Sequence, residues 1–140
     1  MANTWAKCPH DRYQRVLVGD SLDEQIAPDD PIRLLDEILR EFEWSNWEAE
    51  YTGGAGRPPV HPRLMAGAVL YGMMNRIRSS RDLEAATRMR LDFRWFLDCL
   101  EIDHCTFARF RNRFGDKLEE LLSDIGKAAW EVIKSGPKKV

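Results

Sequence analysis

The chain has 140 residues, 44% of them apolar, with a formal net charge of −2. That is enough for one domain with a real core, or for a compact domain with an arm. With three scattered cysteines, an opening MANTWAKCPHDRYQR with no apolar centre and no long uninterrupted apolar run, neither a disulfide scaffold nor a secretory leader nor a membrane span is expected.

The charge is uneven along the chain. Residues 1–56 hold five Lys and Arg against twelve Asp and Glu, a net of −7. Residues 57–115 hold eleven against six, a net of +5, and all eleven are arginine. The rest, 116–140, balances at five against five. This divides the chain into an acidic arm with a helical subdomain (1–56), an arginine-rich core (57–115) and a carboxy-terminal amphipathic helix with its tail (116–140). A local positive surface suits phosphate, and arginine adds a planar fork that matches phosphate and guanine. The expected place is the cytoplasm, in association with the nucleoid.

In chain order, residues 1–29 read as irregular, with Tyr13, Val16, Leu17 and Val18 as a short apolar patch along an extended arm. Asp30 as cap and Pro31 at the first helical position open a helix. Its spacing puts Leu34, Leu35, Ile38, Leu39 and Phe42 inward, and Arg33, Asp36, Glu37, Arg40 and Glu41 outward. Ser45 and Glu48 have capping-box spacing and predict a second short helix carrying Trp47 and Tyr51. The tract from Gly53 to Pro62 is a loop. Within it Gly56-Arg57-Pro58 resembles arms that enter narrow minor grooves, beside the plainer reading of a proline-stiffened connector.

Pro62 starts a helix that is apolar or small all round from Leu64 to Met74, hence a buried pillar on which the others pack, with Gly67 and Gly72 allowing close approach. Ser79 and Asp82 form another capping box, with Leu83, Ala86 and Thr87 facing inward and Arg81 and Arg88 outward. Leu91 to Leu100 is short and aromatic, its Phe93, Phe96, Leu97 and Leu100 spaced for core packing.

Asp103 then caps a helix in which Phe107, Phe110 and Phe114 fall on one stripe, with Arg109 nearly opposite, flanked by Cys105, Thr106, Asn112 and Arg113. Such a face suits phosphates and the acceptor edges of bases; on its own it also fits a core helix with a solvated basic side. Arg111 falls beside the phenylalanines and is assigned to packing or to a phosphate. Gly115 breaks the pattern, and a final helix from Asp116 to about Ile133 carries Leu118, Leu121, Leu122, Ile125, Ala129, Val132 and Ile133 until Gly136-Pro137 stops it.

Chemistry is sparse. A nucleophile elbow, a phosphate loop and GxGxxG are absent. Cys8 with His10 and His104 with Cys105 lack finger or knuckle spacing, so no metal, other cofactor or small-molecule substrate is expected, and no catalytic residue is assigned.

Taken together, Arg57-Pro58, His61-Pro62-Arg63-Leu64, LYG at Leu70 to Gly72, IRSSRDLE at Ile77 to Glu84, FRWF at Phe93 to Phe96 and IDHCTFARFRNRFG at Ile102 to Gly115 resemble the amino-terminal, InsH-type domain of bacterial insertion-sequence transposases. DDPIRLLDEIL at Asp29 to Leu39 resembles that family's opening helix. The resemblance runs from about Ser21 to Ile125. It implies a helical module that recognises terminal inverted repeats and positions an RNase H-like catalytic domain with an acidic, magnesium-binding triad. No such β-rich segment follows Ile125 here, so the chain is expected to be the DNA-binding part alone and no enzyme as it stands.

The expectation is therefore an all-α helical bundle with a helix-turn-helix-like core that binds double-stranded DNA. Arg109, Asn112 and Arg113 would reach bases or phosphates, and Thr106 a phosphate. Arg76, Arg78, Arg81 and Arg88 would hold the DNA backbone, with Arg57 in the minor groove. Two alternatives stay open. One is a transposition regulator that occupies the same repeats, as a homodimer or with a full-length transposase through Leu118 to Ile133. The other is a protein-interaction module working through the acidic first helix.

Overall fold

The computed structural model describes residues 4–9, 12–14, 19–51, 53 and 56–135. Those residues form seven helices and no strand, an all-α fold: α1 Leu22–Gln25, α2 Pro31–Glu41, α3 Ser45–Glu48, α4 Pro62–Met74, α5 Ser80–Met89, α6 Leu91–Phe96 and α7 His104–Ser135. Val16 to Val18 and Gly136-Pro137 lie outside the described residues.

Side chains placed at the helix starts do the capping. Asp30 accepts from the Ile32 amide at 3.0 Å with Pro31 at the first position of α2. Ser79 accepts from the Asp82 amide at 3.0 Å, and Asp103 from the Thr106 amide at 3.2 Å. At α4 the cap is His61, whose Nδ1 accepts from the Arg63 amide at 3.0 Å while Nε2 lies 2.7 Å from Glu48. The Ser45 box does not form. Trp44 is the residue before α3, and the Glu43 carboxylate, reaching forward two residues, accepts both the Ser45 amide and its hydroxyl. Ser21 caps α1, an element that the irregular reading of residues 1–29 missed since one turn is too short to show a period.

The pillar is α4, buried from Leu64 to Gly72. A Cβ on Gly67 would sit 2.2 Å from Phe96 Cζ, and one on Gly72 2.6 Å from Leu83 Cδ2, so both glycines are imposed by contact with α6 and α5. Around it Ile32, Leu35 and Leu39 of α2, Leu83 of α5, Phe93 and Phe96 of α6, and Phe107, Phe110 and Phe114 of α7 close one continuous core. Elements from both the acidic and the arginine-rich segments contribute to it. The most extensive helix pairing is α5 with α7.

Two positions in α2 turn out reversed. Leu34, expected inward, is 41% exposed, and Asp36, expected outward, is buried. Asp36 is drawn in by three guanidinium groups: Arg12 at 3.3 Å, Arg40 at 3.1 Å and Arg63 at 3.2 Å. Arg12, itself 4% exposed, also holds Asp98 at 2.8 Å and lies over the Trp95 ring at 4.2 Å. A buried charge survives only when paired in this way, and the network ties the amino-terminal strap to α2, α4 and the turn after α6.

Gly115 does not end a helix. The bend comes one residue earlier, at Phe114 (φ −116°, ψ 19°), and α7 continues beyond it. Beyond the bend Leu121 is buried, and Leu118 and Ile125 pack partly against the core. Leu122, Trp130, Val132 and Ile133 are exposed, so the expected apolar stripe is uncovered over the distal arm. No described helix is long and apolar enough to cross a membrane.

Candidate nucleic-acid interface

The proximal arm of α7 is two-faced, as its spacing requires. Phe107, Phe110 and Phe114 are at most 4% exposed, and they extend into an aromatic stack: Trp47 lies 6.2 Å from Phe110 and 5.1 Å from Phe114, and Tyr51 lies 5.9 Å from Phe114, all near parallel. On the other side Arg109, Asn112 and Arg113 are exposed. The helix is thus held by its phenylalanines and presents its arginines to water.

These residues are not equally free. The Thr106 hydroxyl donates to Asp103, whose carboxyl that bond holds below the usual aspartate range. Arg113 lies over Tyr51, 5.0 Å from the ring centroid. Arg111 is half-buried beside the phenylalanines, and desolvation pulls its guanidinium pKa down. Of the eleven arginines between 57 and 115, Arg63 is committed to Asp36 and Arg90 to Asp92 and Asn75, which leaves less outward charge than the tally suggests.

Six of the remaining nine form two groups. Arg76 and Arg78 leave the carboxy-terminal end of α4, and Arg81 stands in the first turn of α5; all three are exposed. Arg76 has φ 61°, where the Ile77 amide returns to Gly72 O at 2.7 Å and the Arg76 amide to Met73 O at 3.2 Å. That left-handed helix stop ordinarily takes glycine. Arg88, in the last turn of α5, is exposed but 3.7 Å from Glu101.

Arg109 and Arg113 belong to the second group, at the opposite end of α4. They share a cleft with Met65 and with Pro59 and Val60, the residues that follow Arg57-Pro58. From Met65 to Met74, its last residue, the pillar rises about 14 Å, so the two groups stand near opposite ends of α4. Arg57 is exposed in the loop beside the second group. The loop is itself anchored, by the Ala6 amide to Pro59 O at 2.8 Å and by Trp5 packing edge-on against Tyr51 and His61.

Sequence reasoning missed Tyr51, Val60 and the strap at Trp5 as neighbours of α7, since no periodicity links segments fifty residues apart. Among the described residues no group of three or more histidines, cysteines, aspartates and glutamates could hold a metal ion. His104 faces Glu84 at 3.2 Å, Cys105 is exposed, and His10 lies outside the described residues.

A family model described as transposase domain (DUF772) matches residues 20–113. No curated protein and no solved structure matches the chain.

Proposed function

Since the chain belongs to the transposase-domain (DUF772) family, we propose that it is a sequence-specific binder of double-stranded DNA, directed at the terminal inverted repeats of an insertion sequence. The observation that carries this reading is the exposed Arg109 and Asn112 of α7, set opposite a fully buried phenylalanine stripe and braced by α5, with Arg113 exposed at the flank over Phe114 and Tyr51. A rigid helix with outward guanidinium and amide groups offers the donors that guanine and adenine accept in the major groove. In this reading α5 and α7 work as a helix-turn-helix-like pair. Arg76, Arg78 and Arg81 hold phosphates at the far end of α4, and Arg57 reaches the adjoining groove.

Fluorescence anisotropy on labelled duplexes carrying the element's ends, repeated across a salt series, tests it. Binding should weaken steeply as salt rises, because phosphate contacts release counterions. Arg109→Ala should cost about 1–3 kcal/mol on the specific site and relax discrimination there, whereas Arg81→Ala should weaken all duplexes alike. Absence of duplex binding, or binding insensitive to salt, refutes the reading.

A further inference from the structure

The distal arm of α7, which runs on past the bend at Phe114 to Ser135, has two unlike sides. On one, Lys117, Glu120, Leu121 and Asp124 line a cleft with Trp44 and Trp47, and the Lys117 ammonium donates to the Asn46 carbonyl at 3.0 Å, which fixes the arm to the domain. Nearly opposite, Leu122, Gly126, Trp130 and Ile133 fall within about 80° of one another at the helical period. Leu122, Trp130 and Ile133 are 44%, 59% and 69% exposed, and nothing lies within 4 Å of a Cβ on Gly126. Large apolar side chains in line on one side of a helix, with the other side already docked, make a face that gains by being covered.

Two features of that face identify what covers it. The stripe is symmetric about Gly126, with Leu122 one turn before it and Trp130 one turn after. Two copies of the arm laid antiparallel and crossing at Gly126 therefore set each Leu122 against the partner's Trp130, and the missing side chain at the crossing lets the backbones approach. The charge is arranged in the same sense. Residues 116–124 hold four acids against one lysine, a net of −3, and residues 125–140 hold four lysines against one acid, a net of +3. Antiparallel packing sets each acidic half against the partner's basic half, with the exposed Glu119 beside the partner's Lys134, whereas parallel packing sets like charge against like.

We propose that the distal arm of α7 is a homodimer interface, in which two copies of this chain pack their arms antiparallel about Gly126. The pairing uses Leu122, Trp130 and Ile133, while the buried Leu121 stays with its own domain. It does not depend on the DNA-binding reading.

Sedimentation equilibrium of the full chain across a micromolar concentration series tests it. The mass should rise from that of one chain to that of two and stop there. Trp130→Glu puts a charge into the interface at a position the fold leaves exposed, so it should weaken dimerisation about tenfold or more with the circular dichroism unchanged. Leu122→Glu, the other half of the same contact, repeats the test should Trp130→Glu misfold. Glu119→Lys should weaken dimerisation about threefold at low salt, and adding Lys134→Glu should restore it. A chain that stays monomeric at every concentration overturns the proposal, as does a dimer that the folded Trp130 and Leu122 variants leave intact. No effect of Glu119→Lys, or a defect that Lys134→Glu does not repair, overturns the antiparallel arrangement. None of these measurements contains DNA, so their failure leaves the duplex-binding reading standing.

Discussion

At the scale of single residues, Asp36 shows how one position is set by distant partners. Its place in α2, between Leu35 and Glu37, reads as solvent-facing, yet Arg12 and Arg63 converge on it from segments 24 residues before and 27 residues after. With side-chain exposures of 7% for Asp36 and 5% for Arg12, the pair is desolvated, and removing the carboxylate takes from Arg63 its ion pair and leaves buried Arg12 with Asp98 alone. Asp36→Ala should therefore destabilise the fold by about 3–5 kcal/mol, measured by urea unfolding, since a lone buried charge costs far more than a paired one contributes. Asp30, by contrast, was legible as a cap because its partner amide is only two residues away.

At the scale of elements, burial decides whether a glycine is needed. Gly67 faces Phe96 so closely that the ring must move to admit a methyl group, whereas nothing lies within 4 Å of a Cβ on Gly126 in the distal arm of α7. The same substitution should then have opposite signs. Gly67→Ala should lose about 1–3 kcal/mol through overpacking. Gly126→Ala should gain about 0.5–1 kcal/mol through helix propensity. Thermal melts of the two variants give the comparison; a tolerated Gly67→Ala would mean that α4 and α6 do not pack as described. The helices themselves were readable from caps and periods, including the all-round apolar α4. In the distal arm of α7 the stripe read from the sequence is there, but Trp130 and Ile133, 59% and 69% exposed, are not covered by the described residues.

At the scale of the whole molecule, several carboxylates are tied into the fold. Asp23 is held below its ordinary 3.8 by the Trp95 indole N–H, then by Arg33. Glu43 and Glu84 are held below their ordinary 4.5, by the Ser45 hydroxyl and by the His104 amide. Asp103 is held down by Thr106. Folded values below unfolded ones mean that these groups contribute stability above about pH 4.5 and lose it as the pH falls through the lowered values. Melting temperature should accordingly drop on acidification below that point, and Asp23→Asn should make the drop shallower. A melting temperature that rises towards pH 3 would contradict the bonding described.

What the amino-acid sequence determined alone was everything that depends on neighbours within a turn or two. That covers the all-α class, the capped starts of α2, α5 and α7, the buried pillar α4, and the face of α7 that carries Arg109 and Asn112 away from its phenylalanines. These follow from a fixed helical period and from hydrogen bonds spanning two or three residues. Only tertiary structure decided which arginines face water, that Asp36 is the hub of a buried charge network, and that Tyr51 and Val60 form a cleft with α7. Those outcomes depend on packing between segments far apart in the chain, where burial sets the cost of a charge and close contact the shape of a surface. No local pattern of side chains encodes either one.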